Sequence, residues 1–169
     1  VILRLRHLGL GPVEHFPFLD PPQPSRVQEG YRELAELCAL DDKKEITASG
    51  RRMANLPVEP RFARILLEAR KSGALAPALI IVSMLSVQDP RERPLAKQGE
   101  ADKLHKRLLH GKSDFLGWLN LRQFHDDALQ SLPSKSQARK FCRPNFLTYL
   151  RMQARRHTLR PAAESMSPP

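Results

Sequence analysis

The chain has 169 residues, 28 of them Lys or Arg against 18 Asp or Glu, so its formal net charge at neutral pH is +10. Residues 128–169 carry eight basic side chains and one acidic one, which suits a polyanion such as RNA, DNA or an acidic membrane face, or else a solvated basic tail. Cys38 and Cys142 lack CxxC spacing, and the apolar stretch 79–85 is far too short to cross a bilayer, so we expect a reduced, cytoplasmic chain.

Residues 1–57 predict a small, mainly helical domain of the reduced winged-helix type. An amphipathic helix is predicted over residues 1–10, and a second helix with Ser25 as its N-cap and a glutamine at the capping-box position. Two short apolar segments on either side of the charged turn 41–45 predict a β-hairpin. Thr47 is predicted to cap the helix that follows.

Residues 58–156 predict an all-α bundle. Pro60 suits the start of a helix that Gly73 ends, and the almost wholly apolar stretch 79–85 predicts a helix buried on all sides. Further helices are predicted over residues 99–109, from Ser113 onward, and over residues 134–156 with an interruption at Pro144. Residues 157–169 predict a disordered tail.

The most informative segment leaves the apolar helix and reads Ser86-Val87-Gln88-Asp89-Pro90-Arg91-Glu92-Arg93-Pro94. Because a residue before proline favours extended backbone, we expect this exit to be non-helical. Arginines on a stiff segment lose little freedom on clamping an oxyanion, so Arg91 and Arg93 are candidate phosphate ligands. The alternatives are that they cap the helix end, or that they pair with carboxylates such as Asp89 and Asp114 and hold the segment against the bundle.

The sequence predicts no catalytic residue, no cofactor and no metal for these residues. No segment matches the GxxxxGK[ST] phosphate loop, since Gly111-Lys112-Ser113 lacks the leading glycine and the preceding strand. The six histidines lack metal-ligand spacing. Lys112 beside a helix start at Ser113 is a candidate single-phosphate site, with a simple capped turn as the alternative. Phe115, Trp118 and Leu119 are interpreted as core residues.

Several blocks of sequence carry a resemblance to a known family. They are Leu8–Gly11, Phe16–Pro22, Gly30–Leu40, Gly50–Met53, Leu56–Arg61, Ser86–Pro94, Lys112–Leu121 and Asn145–Met152. In this order and spacing, over residues 1–152, the chain resembles the C-terminal accessory region of bacterial DEAH-box ATP-dependent RNA helicases of the HrpA type. After Met152 the sequence departs from the family's usual continuation, so we expect the OB-like domain of the family to be missing. Because the chain begins at Val1, we expect it to be a piece of a longer protein.

The resemblance implies a degenerate winged helix (residues 1–57) followed by a ratchet-like helicase-associated domain (residues 58–156). It also implies motor domains in the parent chain that use ATP and Mg, and accessory domains that close over single-stranded RNA, or DNA, and grip it. We expect the module to be monomeric and independent of membranes. A translocating machine needs sequence-neutral phosphate and sugar contacts, for which the candidates are Arg91, Arg93, Lys97, Lys112, Ser113, Asn145 and Arg151.

Two other functions are consistent with the sequence. A winged-helix DNA-binding regulator would need a recognition helix rich in exposed Arg, Asn and Gln, but the second predicted helix presents Glu29, Glu33 and Glu36 to solvent, and these repel a groove. A helical protein-docking scaffold without a nucleic-acid role would be distinguished by its failure to bind single-stranded RNA at low salt.

Overall fold

The computed structural model describes residues 1–132 and 134–166, apart from the side chains of residues 155–162 and 165. The described residues form nine α-helices and three short 3-10 helices and no β-strand, so the mainly α fold class is confirmed. The helices are α1 (Ile2–His7), α2 (Pro24–Glu36), α3 (Ala48–Ala54), α4 (Pro60–Lys71), α5 (Leu75–Leu85), α6 (Gln98–Lys106), α7 (Asp114–Gln130), α8 (Lys135–Cys142) and α9 (Tyr149–Met166). No helix in the described ranges is both long and apolar enough to span a membrane.

The chain divides into two compact units, Val1–Ser72 and Gly73–Pro169. The predicted domain boundary after residue 57 falls one helix before this division. The helix start at Pro60 agrees with the prediction, and Gly73 follows the helix with a φ of 74°. However, α4 packs against α3 and so belongs by contact to the first unit.

The first unit contains α1–α4 around a core that includes Leu34, Met53 and Leu66. Thr47 caps α3 as predicted, and its Oγ1 accepts a hydrogen bond from the Gly50 N–H at 2.9 Å. A Cβ on Gly50 would lie 2.1 Å from the Ala39 carbonyl oxygen. Only glycine therefore allows α3 to approach the preceding loop this closely.

One local prediction in the first unit is wrong, and another is confirmed in a reduced form. Ser25 does not cap α2, because the helix already begins at Pro24 with Gln23 as N-cap, and the fixed φ of proline suits the first helical position. The predicted hairpin is one antiparallel bridge between Leu40 and Ile46. Its turn is closed by the Asp41 carboxylate, which accepts hydrogen bonds from two backbone N–H groups at 2.9 and 2.8 Å, so no longer ladder is needed.

The second unit is built around α5, α7 and α9. Its core cluster consists of Met84, Leu108, Leu121, Cys142 and Leu147. The prediction that α5 is buried on all sides is wrong. Within the apolar stretch only Val82, Ser83 and Met84 are buried, and Leu85 is 41% exposed. Within this unit, α7 and α9 cover only part of the circumference of α5.

Helix α9 continues to Met166, beyond the predicted start of a disordered tail at residue 157. Helix α9 as a whole contains four arginines, three alanines and two leucines, which have high helix propensity, and Met166 at its end is buried. The last three residues of the predicted tail, 167–169, lie outside the described residues.

Candidate nucleic-acid interface

The segment that leaves α5 is non-helical, as predicted, and it is fastened to the residues that precede α9. The Thr148 N–H donates to the Pro90 carbonyl at 2.7 Å, and the Glu92 N–H donates to the Phe146 carbonyl at 2.8 Å. Between these bonds, Arg91 forms an isolated antiparallel bridge with Leu147. The backbone that carries Arg91 is therefore held rigidly against the bundle.

The Arg91 side chain is bound to the carboxylate two residues before it. Its Nε lies 3.1 Å from both Asp89 carboxylate oxygens, and its Nη2 lies 2.7 Å from Oδ2. These hydrogen bonds raise the pKa of Arg91, and the negative charge of Asp114 also raises it. Arg151 reaches the same residue and donates from Nη1 to the Asp89 carbonyl at 2.8 Å. Arg91 and Arg151 thus converge on Asp89 and help to fix the exit segment.

Arg93 and Lys97 are more accessible, but each lies near a carboxylate. Arg93 Nη2 donates to Asp102 Oδ2 at 2.7 Å, and the Arg93 side chain is 60% exposed. This bond lowers the pKa of Asp102. Lys97 Nζ lies 3.7 Å from Glu100 Oε2. The positive charge of both residues is therefore partly compensated within the protein.

Ser113 and Asn145 use their polar atoms inside the fold. Ser113 caps α7, with its Oγ accepting from the Leu116 N–H. The Asn145 amide donates to the Phe141 carbonyl at 2.8 Å and accepts from Arg107 Nη2 at 2.7 Å. The Lys112 side chain is exposed, and no described carboxylate lies within ion-pair distance of it.

The predicted site residues are only partly brought together. Arg91 and Arg93 line a common groove of about 570 Å³, which Asp89, Asp102, His105, Lys106 and Leu109 complete. Arg151 is linked to this groove through Asp89. Lys97, Lys112, Ser113 and Asn145 are not among its lining residues.

A second basic surface, the α8 stripe, consists of Lys135, Arg139, Lys140 and Arg143, and all four side chains are exposed. Lys135, Arg139 and Arg143 follow one another at i, i+4, so they share one face of the helix and its end. Ala138 and Cys142, each one position before an arginine of the stripe, are buried on the neighbouring face of the helix. No carboxylate in the described part of the chain lies within ion-pair distance of any of the four.

None of the four stripe residues is among the predicted contacts. The signal was nevertheless present in the sequence, because no Asp or Glu occurs between Asp127 and Glu164. The excess of positive charge was assigned to residues 128–169 as a whole, and not to helix α8 and its end, where four of the eight cations lie.

Of the aromatic side chains that were predicted to lie in the core, one packs against the core cluster and another is exposed. Trp118 packs against the core cluster as predicted, whereas Phe115, which contacts Trp118 edge-on at 5.6 Å, is 50% exposed. Within the described ranges, no group of three His, Cys, Asp or Glu side chains could hold a metal ion.

Comparison with known proteins agrees with this architecture. Residues 59–149 match the family model of the ratchet-like helicase-associated domain (HA2), and residues 31–58 match that of the winged-helix HA2 domain. The chain therefore belongs to the HA2 helicase-associated family, and the resemblance to the HrpA-type accessory region is confirmed.

Three relatives illustrate the position of the chain in larger proteins. It is 41% identical over 179 residues to an ATP-dependent RNA helicase HrpA homolog of Haemophilus influenzae, covering 100% of this chain and 14% of the relative. It is 42% identical over 158 residues to ATP-dependent RNA helicase HrpA of Escherichia coli, covering 90% of this chain and 12% of the relative. It is 36% identical over 120 residues to the pre-mRNA-splicing factor ATP-dependent RNA helicase prp22 of Schizosaccharomyces pombe, covering 71% of this chain and 10% of the relative.

Proposed function

We propose that the chain is the RNA-binding accessory module of a cytoplasmic DEAH-box helicase. It closes over single-stranded RNA and grips it while motor domains elsewhere in the parent protein, with their ATP and Mg, hydrolyse the nucleotide. The single observation that carries this proposal is the α8 stripe, four exposed cations without a carboxylate partner among the described residues. The relatives are named as RNA helicases, which supports RNA as the partner.

The α8 stripe has the chemistry that a translocating machine requires. Successive cations at i, i+4 are separated by about 6 Å along the helix axis, and Lys and Arg bind phosphate without reading the base. Because no nearby acid competes for them, their charge remains available to the phosphates of a strand. Such contacts hold any sequence equally well.

The sequence-predicted contacts divide into two groups within this proposal. Arg93, Lys97 and Lys112 have exposed side chains, and we propose that they add phosphate contacts. Arg91, Ser113, Asn145 and Arg151 are engaged inside the fold, and we propose that they position the exit segment and the start of α7 rather than grip RNA.

The test is the salt dependence of binding. The full 169-residue chain is titrated against a labelled single-stranded RNA of twelve nucleotides by fluorescence anisotropy, over a series of salt concentrations. Each cation that meets a phosphate contributes about 0.7 to the slope of log affinity against log salt. Replacing Lys135, Arg139, Lys140 and Arg143 together by Gln should therefore lower the slope by nearly three.

A matched control removes four exposed arginines from the first unit, namely Arg26, Arg32, Arg51 and Arg52, also by Gln. This variant loses the same net charge and should keep most of the wild-type slope. Equal losses in the two variants would show that net charge, and not the α8 stripe, sets the affinity. No detectable binding of the wild type at low salt would refute the proposal and favour a protein-docking scaffold, for which the first unit offers an apolar groove of about 520 Å³.

A further inference from the structure

A polar cavity of about 540 Å³ lies in the second unit, between the end of α7, the start of α8 and the first turns of α9. Its wall includes Asp126, Gln130, Ser134, Lys135, Tyr149 and Gln153. The proposed grip on phosphates makes no use of this cavity, although one stripe residue, Lys135, belongs to its lining.

The cavity and the α8 stripe are contiguous. Lys135 belongs to both, and the guanidinium of Arg139 lies over the ring of Tyr149, 5.2 Å from its centroid. Lys135 and the Tyr149 ring beneath Arg139 both belong to the lining, so a phosphate bound by either cation lies beside the cavity. The Arg139 guanidinium, fixed on the Tyr149 ring, is itself a flat surface of the kind on which bases stack.

The polar lining matches the edge of a nucleobase. A glutamine amide offers both a donor and an acceptor and can pair with a base edge, and the cavity has Gln130 and Gln153. Gln153 Nε2 already donates to the Tyr149 hydroxyl at 2.5 Å, which fixes the position of its amide. Asp126 also lines the cavity, but its Oδ2 accepts a hydrogen bond from Arg122 Nε and its Oδ1 is buried 3.7 Å from His125 Nδ1, so the two glutamines are the groups that can contact a base.

We propose that the cavity between α7, α8 and α9 receives one base of the single-stranded nucleic acid whose phosphates lie on the α8 stripe. This inference rests on the proposed RNA-binding function and adds a base-contacting site to it. The cavity adds affinity for a strand that carries bases over a bare sugar-phosphate backbone of the same charge.

The experiment compares two strands of equal length and charge, an ordinary single-stranded RNA of twelve nucleotides and the same backbone with abasic positions throughout. Binding of the full chain is measured by anisotropy at several salt concentrations. The wild type should bind the base-containing strand about tenfold more tightly, in line with the usual contribution of one contacted base. The variant Gln130→Ala with Gln153→Leu should reduce this preference to threefold or less, with an unchanged salt slope.

Two controls keep the outcome interpretable. Gln123→Ala lies on the same helix outside the cavity, where its amide donates to Asp127, and it should retain the full preference. Gln130→Ala alone changes an exposed residue in the last turn of α7, so it tests the cavity even if Gln153→Leu impairs folding, which thermal melting will reveal.

The possible results distinguish failure of the base-binding inference from failure of the proposed RNA-binding function. Equal wild-type affinity for the two strands, or a preference that survives both cavity variants, overturns the inference while leaving the phosphate grip intact. Failure of the wild type to bind either strand refutes the proposed function itself, and the inference with it.

Discussion

The cations that follow α5 and the cations on α8 have the same chemistry in different surroundings. Arg91, Arg93 and Lys97 each lie within ion-pair distance of a carboxylate, whereas the α8 stripe has no such partner among the described residues. The comparison shows that a count of arginines is not a count of charges available to a ligand. A carboxylate at 2.7 Å already occupies the donors that a phosphate would need.

The two surfaces also differ in what holds their backbone. The exit segment is non-helical and relies on hydrogen bonds to residues more than fifty positions away, such as Thr148 to Glu92 at 2.6 Å. Helix α8 relies on its own helical hydrogen bonds and on burial of Ala138 and Cys142. Removing charge from the exit segment should therefore affect stability first, and removing it from α8 should affect binding first.

The largest expected effect concerns Cys142, on the buried side of α8. Its side chain is 1% exposed, and burial raises its pKa to about 11, whereas Cys38 is exposed. At pH 8 under native conditions, a thiol–disulfide exchange reagent should modify Cys38 at least about a thousandfold faster than Cys142, because Cys142 requires unfolding. The variant Cys38→Ser isolates the slow reaction, and comparable rates for the two thiols would mean that α8 is not packed as described.

The same thiol predicts an alkaline instability. Between pH 9.0 and about 11 the Cys142 thiol ionises readily in the unfolded chain but not in the folded one. The free energy of unfolding is therefore unaffected by this thiol below its ordinary pKa of 9.0, and it falls as the pH rises towards about 11. Urea titrations of the wild type and Cys142→Ala between these pH values should show a steeper loss for the wild type.

The next effect tests whether Asn145 serves the fold. Asn145→Ala removes the hydrogen bond to the Phe141 carbonyl and the partner of Arg107, and it should lower the free energy of unfolding by about 2 kcal/mol. Denaturant titration measures the loss, and Asn55→Ala at the exposed end of α3 is the control. If stability is unchanged but RNA affinity falls, Asn145 contacts RNA instead.

A direct contrast comes from two double variants that remove equal charge. Arg139→Ala with Arg143→Ala should lower the salt slope by about 1.4 and weaken RNA binding roughly tenfold at moderate salt. Arg91→Ala with Arg93→Ala should change the slope by less than half as much and should lower the melting temperature. The reverse ranking would mean that the exit segment is the principal grip.

Much of the fold was predictable because its signals are local. Pro60, Gly73, Thr47 and Ser113 begin or end helices at the predicted places, since a cap or a positive φ depends on a few neighbouring residues. The non-helical exit at Asp89-Pro90 was predictable for the same reason. The compact division after Ser72 was not, because it depends on how α4 packs.

The site was less predictable, because pairing is decided by residues distant in sequence. Asp102 as partner of Arg93 and Arg107 as partner of Asn145 become visible only in three dimensions. The α8 stripe was accessible to sequence reasoning through its i, i+4 spacing. It was missed because the charge was counted over a segment rather than placed on a helix.

The smallest expected effect comes from removing the carboxylate that binds Arg93, which leaves the charge of Arg93 available to RNA. Asp102→Asn removes the carboxylate bound to Arg93 and should raise RNA affinity about twofold to fivefold, with up to 0.7 added to the salt slope. Lowering the pH should not produce the same gain in RNA affinity above pH 5. Arg93 lowers the pKa of Asp102, so the carboxylate stays ionised there. The stability that the pair supplies is present above the ordinary pKa of Asp102 and is lost only as the pH falls through that lowered pKa.

The matched control is Glu100→Gln beside Lys97, where the 3.7 Å separation predicts a smaller gain in affinity. Unchanged affinity in Asp102→Asn would show that Arg93 lies away from the bound strand, and the grip would then be assigned to the α8 stripe.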